Sequence, residues 1–306
     1  MAIVDRSFSI GEGRTGFLLI HGLGGTPIEL KFVAKGLARH GLKVHCCQLA
    51  GHCGSAEDLV ATGWEDWYAS VEQAFDKLRA ECDTVVVGGL SMGAVLALHL
   101  AAQRGEQVHG LALYAPTLWY DGWAMPWYRF LIHIGMMSPF GRWIVRNFYQ
   151  FVETEPYGIK DPAIRAVVVA AMNTGDTTQA GILVTPGEAV IQLYRLTGIV
   201  KKELPSIQAP AFIVQAREDD LSSLKNTEYL QRKLGGLVDT LVLDDSYHIV
   251  TVDRQRDLLI DGTVAFGMLL ASRLASNEHS DEVVRPLDEK RQAAAKVERS
   301  QSLSGS

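Results

Sequence analysis

Gly89-Leu90-Ser91-Met92-Gly93 sets a serine between two glycines at the spacing of a nucleophile elbow. The segment follows the apolar run 84–88 and opens a helical run over 94–103, so the hydroxyl is expected on a sharp strand-to-helix turn. A serine hydroxyl is a weak nucleophile until a base takes its proton. His248, in Ser246-Tyr247-His248, is the candidate base. Asp219, in Gln215-Ala216-Arg217-Glu218-Asp219-Asp220, is the candidate acid that orients it, with Asp220 in the adjoining register. His21-Gly22-Leu23-Gly24-Gly25 is a glycine-rich loop able to bring a backbone donor close to substrate. The N–H groups of Leu23 and Met92 are expected to hold an oxyanion. The order serine, aspartate, histidine is that of acyl transfer to water through an acyl-enzyme, which needs neither metal nor organic cofactor.

These residues must be carried by elements that end near one another. Apolar runs at 17–20, 44–48, 84–88, 110–114, 212–215 and 238–243 lack clean alternation, the mark of strands covered on both faces. Helical patterns lie between them, at 27–40 before Gly41 and at 64–79. The alternation predicts an α/β chain with a mostly parallel, doubly wound sheet. In such sheets ligands sit beyond the carboxyl ends of the strands, where Ser91, Asp219 and His248 all fall.

The strand pattern is interrupted between residues 117 and 205, which predicts an inserted helical cap on a core of 1–116 and 206–275. Thr185-Pro186-Gly187-Glu188 reads as a capping box with proline in the first turn. Residues 117–151 hold 11 of the chain's 25 aromatics, and an apolar acyl pocket lined by Trp119, Trp123 and Trp127 is expected there. The polar stretch 276–306 has little to bury and reads as a disordered tail.

Composition narrows the partners. Of the 306 residues 47% are apolar and 21% charged, as in ordinary globular chains. A net charge of −6 without a basic block argues against nucleic acid. The run 84–103 carries no Asp, Glu, Lys or Arg, but its glycines and Ser91 favour a strand, a corner and a packed helix over an integral membrane segment. Residues 1–10 contain Asp5 and do not resemble a signal peptide, so a cytoplasmic location is expected. Cys46, Cys47 and Cys53 crowd around His52 at no zinc-ligand spacing and read as reduced thiols at a strand end, and His52 is placed near the active-site mouth. The oligomeric state is not legible in the sequence.

Taken together, FLLIHGLGGTPIEL, LAGHCGSAEDL, WEDWYASVEQAF, VVGGLSMGAVLAL, PAFIVQAREDDL and DDSYHIVTVDRQRD resemble the bacterial carboxylesterase and monoacylglycerol lipase group of α/β-hydrolases. The resemblance spans roughly residues 16–260. It implies the α/β-hydrolase fold and a small-molecule ester or lipid substrate. It also matches Ser91 to the nucleophile, Asp219 to the triad acid, His248 to the base and Leu23 to an oxyanion donor. Tyr247 stands where relatives commonly have glycine, and Gly51-His52-Cys53-Gly54 where many have Gly-His-Gly. Medium-chain esters or monoacylglycerols are the expected substrates. A thioesterase or carbon–carbon bond hydrolase would use the same triad. A non-catalytic binding protein on this fold would typically have lost a triad member.

Overall fold

The computed structural model describes residues 3–126, 135, 138–174 and 177–276. Its strands are β1 (Phe8–Ile10), β2 (Thr15–Ile20), β3 (Lys43–Cys47), β4 (Thr84–Leu90), β5 (Gly110–Tyr114), β6 (Gln150–Val152), β7 (Val184–Pro186), β8 (Ala211–Ala216) and β9 (Val238–Leu243). Seven of them form one sheet in the order β1-β3-β2-β4-β5-β8-β9. Every pairing in it is parallel except β1 with β3, where the chain enters antiparallel along the edge.

The expected doubly wound sheet is therefore present, and the side chains show why those strands read as unbroken apolar runs. Leu18, Ile20, Val85, Val87, Leu111, Leu113 and Ile213 face the helices Trp64–Glu81, Met92–Arg104 and Gly187–Glu203. The alternate residues Phe17, Leu19, Val86, Ala112, Tyr114, Phe212 and Val214 face the helices Lys31–Arg39 and Arg256–Ser276. With both faces covered, alternation has nothing to report. The helix Arg256–Ser276 is long and apolar enough to cross a membrane by length and composition. Its Leu259, Val264 and Leu270 pack into the second of these two cores.

β5 and β8 lie side by side, with Leu111 opposite Ala211, although almost a hundred residues separate them in sequence. The intervening chain forms the helices Pro139–Phe148, Pro162–Asn173, Thr177–Ala180 and Gly187–Glu203 and the small antiparallel pair β6–β7. The tail expected at 276–306 lies outside the described residues beyond Ser276.

Three local expectations change. β1 is too short to stand out in the sequence and owes its existence to pairing with β3. The helix expected over 27–40 is a 3-10 turn, Pro27–Leu30, capped by the Thr26 hydroxyl, followed by the α-helix Lys31–Arg39. The capping box at 185–188 does not form. Thr185 is committed to β7, opposite Phe151, and the helix starts at Gly187 without a side-chain cap.

Candidate active site

Ser91 sits where β4 ends and the helix Met92–Arg104 begins. Its backbone is in the left-handed region (φ 55°), anchored by its N–H donating to Tyr114 O at 2.9 Å. Such a conformation is costly for a residue with a Cβ and persists only where the surroundings enforce it. The flanking glycines are forced by space. A Cβ on Gly89 would stand 2.2 Å from Ile20 O, and one on Gly93 only 2.0 Å from the same atom. Both clashes are with backbone, which cannot swing aside. Gly93→Ala is therefore expected to destabilise the fold by about 3 kcal/mol or more, at the upper end of overpacking costs, read as a fall in thermal midpoint.

The Ser91 hydroxyl donates to Thr117 Oγ1 at 3.1 Å, and Thr117 in turn donates to Ala115 O. Across the same cavity lies His248, buried, with Nδ1 at 2.9 Å from Asp219 Oδ2. Asp219 is held by the Leu221 and Ser222 N–H groups on Oδ1 and by Gln215 Nε2 on Oδ2. A carboxylate fixed this way leaves the imidazole one orientation. The sign of the histidine's shift follows from two opposed effects. Burial disfavours the imidazolium, but the charge and hydrogen bond of Asp219, with Asp220 and Glu153 nearby, outweigh it and raise the pKa above the ordinary 6.5.

Asp220 has a separate task. Its Oδ1 accepts from His248 N at 3.1 Å and its Oδ2 from Gly158 N at 3.0 Å. Asp253, fully buried, accepts from Tyr247 N, Lys160 N and Asp161 N at 2.8–3.0 Å. Ile249 N donates to Gly158 O at 2.7 Å. Two carboxylates thus buckle residues 158–161 of the inserted segment onto the loop that carries His248.

The loop after β2 is braced from behind. His21 Nε2 accepts from Leu49 N, so Nδ1 carries the proton and donates to Gly22 O at 2.9 Å. Burial beside His52 pushes the His21 pKa down to about 3, which keeps this tautomer neutral. Glu29 accepts from Gly22 N at 2.6 Å. Leu23 lines the cavity, while the Met92 side chain is buried in the core. The Met92 N–H is the first of its helix, one of the donors a helix cannot use internally.

The cavity holds about 810 Å³ and is walled by Leu23, Ser91 and His248 on the sheet side and by Tyr120, Phe151, Ile164, Met172 and Ile182 on the other. Two carboxyls, Glu29 and Glu153, also face it. Burial pushes each up to about 7, in Glu153 with added repulsion from Glu29. For a carboxyl raised from 4.5, folding binds a proton, so stability falls as pH rises from about 4.5 through 7. Glu153→Gln should remove that loss. It should raise the thermal midpoint at pH 8, by the equivalent of about 1–3 kcal/mol, and change it little at pH 4.

The expectation that Trp119 and Trp123 line the substrate pocket does not hold. Trp119 packs edge-on against Tyr229 with Lys201 over its ring at 4.8 Å. Trp123 is 59% exposed, donates from Nε1 to Glu218 O and abuts Tyr247. Each indole finds a partner outside the cavity. Trp127 lies outside the described residues. Nor is His52 at the mouth: it is buried between His21 and Trp67. Glu29, Thr117, Gln215, Ser222, Glu153 and Asp253 were not singled out from the sequence. Of these, Glu29, Gln215 and Asp253 lie inside the stretches that carry the family resemblance, while Thr117, Ser222 and Glu153 lie outside them.

The sequence pattern of the family described as serine aminopeptidase, S33, matches residues 11–255. A thermostable monoacylglycerol lipase of Bacillus sp. (strain H-257) is 28% identical over 260 residues, 85% of this chain and 92% of that protein. A carboxylesterase of Bacillus subtilis (strain 168) is 24% identical over 261 residues, 84% and 94% of the two chains. The crystal structure of the Paleococcus ferrophilus monoacylglycerol lipase superposes with a TM-score of 0.70 at 15% identity, over 87% of this chain and 99% of that one. At that identity the likeness speaks for the α/β-hydrolase fold.

Proposed function

The chain belongs to the serine aminopeptidase (S33) family, and from that premise we propose that it is a serine hydrolase cleaving carboxylic esters through an acyl-enzyme on Ser91. What supports the reading is that a buried Asp219–His248 pair, at 2.9 Å, and a serine on a left-handed elbow both border one cavity. In this reading Ser91 leaves Thr117 and gives its proton to His248 as it attacks the ester carbonyl. The N–H groups of Leu23 and Met92 hold the oxyanion, and the helix Met92–Arg104 adds its positive end. Asp219 stabilises the imidazolium, which then protonates the leaving alcohol, and water repeats the sequence on the acyl-enzyme.

Residues 117–205 act as a cap on a core of 1–116 and 206–275, and the cap supplies the apolar wall for the acyl chain. A cavity of about 810 Å³ suits medium-chain esters or monoacylglycerols. Each methylene buried contributes about 0.8 kcal/mol, several-fold in kcat/KM per two carbons until the wall is reached. A p-nitrophenyl ester series from acetate to decanoate tests this. Rising kcat/KM with a maximum at medium length is expected, and a flat profile sinks the acyl-pocket reading. The relatives' names favour oxygen esters over thioesters, and parallel thioesters decide the point. A cytoplasmic location belongs to this reading too.

The pH profile follows from His248. The base works only when neutral, and its pKa is raised. Activity should therefore fall as pH drops through a single ionisation lying above 6.5, with kcat/KM flat on the alkaline side of it. An apparent pKa clearly below 6.5 would contradict the Asp219–His248 pairing.

A further inference from the structure

Among the described residues no hydrogen bond joins Ser91 to His248. The Ser91 hydroxyl donates instead to Thr117 Oγ1 at 3.1 Å. The Thr117 hydroxyl carries one proton and gives it to Ala115 O, also at 3.1 Å. It can therefore only accept from Ser91, and the serine proton is committed to it. A merely slack serine–histidine pair would leave that proton without a destination. The bond is not needed to satisfy a buried donor on Thr117 either, since Ala115 O already does so.

The threonine is held from both sides. β5 ends at Tyr114, whose carbonyl also anchors the Ser91 N–H. Ala115 follows in the left-handed region (φ 43°), with its N–H on Val214 O at 2.8 Å. This turn, costly for a residue with a Cβ, brings the Thr117 hydroxyl back onto the Ala115 carbonyl. Beyond it, Leu118 N and Trp119 N both donate to Oδ1 of the buried Asn226, at 2.9 and 3.1 Å. Thr117 itself is 1% exposed. Its hydroxyl is thus fixed against the nucleophile by backbone on either side.

We propose that Thr117 is a positioning residue that holds the Ser91 hydroxyl at rest, its proton turned from His248, so that attack begins with an exchange of hydrogen-bond partner. The inference rests on the esterase reading and adds to it the state from which Ser91 starts. No covalent bond changes in the exchange. Ser91 keeps its proton and turns it from Thr117 Oγ1 to His248 Nε2, while Thr117 keeps its bond to Ala115 O. One ordinary hydrogen bond is given up, a factor of about two to ten in the population of the competent rotamer.

Thr117→Val keeps the shape and removes the acceptor, and Thr117→Ser keeps the acceptor. The second-order rate of Ser91 phosphonylation by diisopropyl fluorophosphate reads the free enzyme directly. Thr117→Val should raise that rate, and kcat/KM for p-nitrophenyl esters with it, by about two- to tenfold, and Thr117→Ser should stay within about twofold of wild type. The pH profile should move as well. Toward His248 a serine held by Thr117 can only accept, which suits the imidazolium, whereas a released serine can donate to the neutral ring. The apparent pKa of labelling should therefore fall in Thr117→Val and not in Thr117→Ser. Asp219, Asp220, Glu153 and Glu29, the acids that act on His248, are common to all three proteins. Thermal midpoints register the donor that Ala115 O loses in the valine variant. Should valine not fold, Thr117→Cys, whose sulfur is a weak acceptor, carries the same expected sign. Faster labelling at a lower apparent pKa, reversed by serine, supports the proposal. Labelling equal to or slower than wild type in the folded variant overturns it. A wild-type protein that takes no label at any pH would instead overturn the Ser91 reading, and the proposal with it.

Discussion

Ser91→Ala is expected to lower kcat toward esters on the order of 10⁴–10⁶-fold while leaving the fold in place. The substitution keeps a Cβ at the left-handed position, so the elbow's backbone requirement is unchanged. It removes one hydrogen bond, to Thr117, which is worth about 1 kcal/mol of stability. The residual rate would come from the oxyanion donors and the cavity, which the change does not touch. Rates by stopped assay, a thermal midpoint, and labelling by a fluorophosphonate make the measurement complete. Activity above about a hundredth of wild type, or labelling that survives, would assign the nucleophile elsewhere.

The second large effect separates two neighbouring acids. Asp219 receives donors on both oxygens, from Leu221 N, Ser222 N, Gln215 Nε2 and His248 Nδ1. An asparagine there must present its own NH₂ to one of those donors, and the imidazole is driven to the wrong tautomer. Asp219→Asn should therefore cost on the order of 10⁴ in kcat. Asp220 instead accepts two backbone N–H groups, those of His248 and Gly158, and its asparagine keeps one of them. Asp220→Asn should cost about tenfold in rate and about 1–2 kcal/mol in stability, through a buried N–H left without an acceptor. If the larger loss fell on Asp220, the acid would be misassigned by one residue.

The sequence shows these residues because each lies shortly past an apolar run that reads as a covered strand. β4, β8 and β9 end at Leu90, Ala216 and Leu243, and Ser91, Asp219 and His248 follow within five residues. Local pattern carries that far. It does not say which face of an irregular segment turns inward, so Trp119 and Trp123, the most conspicuous aromatics, were placed in a pocket that Tyr120 and Phe151 line instead. Glu29 and Glu153 are hidden for the same reason. A glutamate on a short turn or beside a strand reads as solvated, and only contacts from distant parts of the chain reveal that it faces a cavity. Thr185 shows the reverse error: a motif with a sound local rationale loses to a pairing with Phe151 that no local window contains.

The buckle at residues 158–161 bears on how the specificity of such an enzyme can change over generations. The carboxylates that hold this stretch, Asp220 and Asp253, also accept the consecutive backbone N–H groups of His248 and Tyr247. On the proposed mechanism, a variant that retunes the cavity by loosening them disturbs the base in the same stroke and is purged for inactivity. Heritable novelty is thereby channelled elsewhere, to cavity positions with no tie to that loop, such as Ile164, Val168, Met172 and Ile182. In a saturation library screened on a new ester, survivors should accumulate substitutions at those four positions and almost none at Asp220 or Asp253.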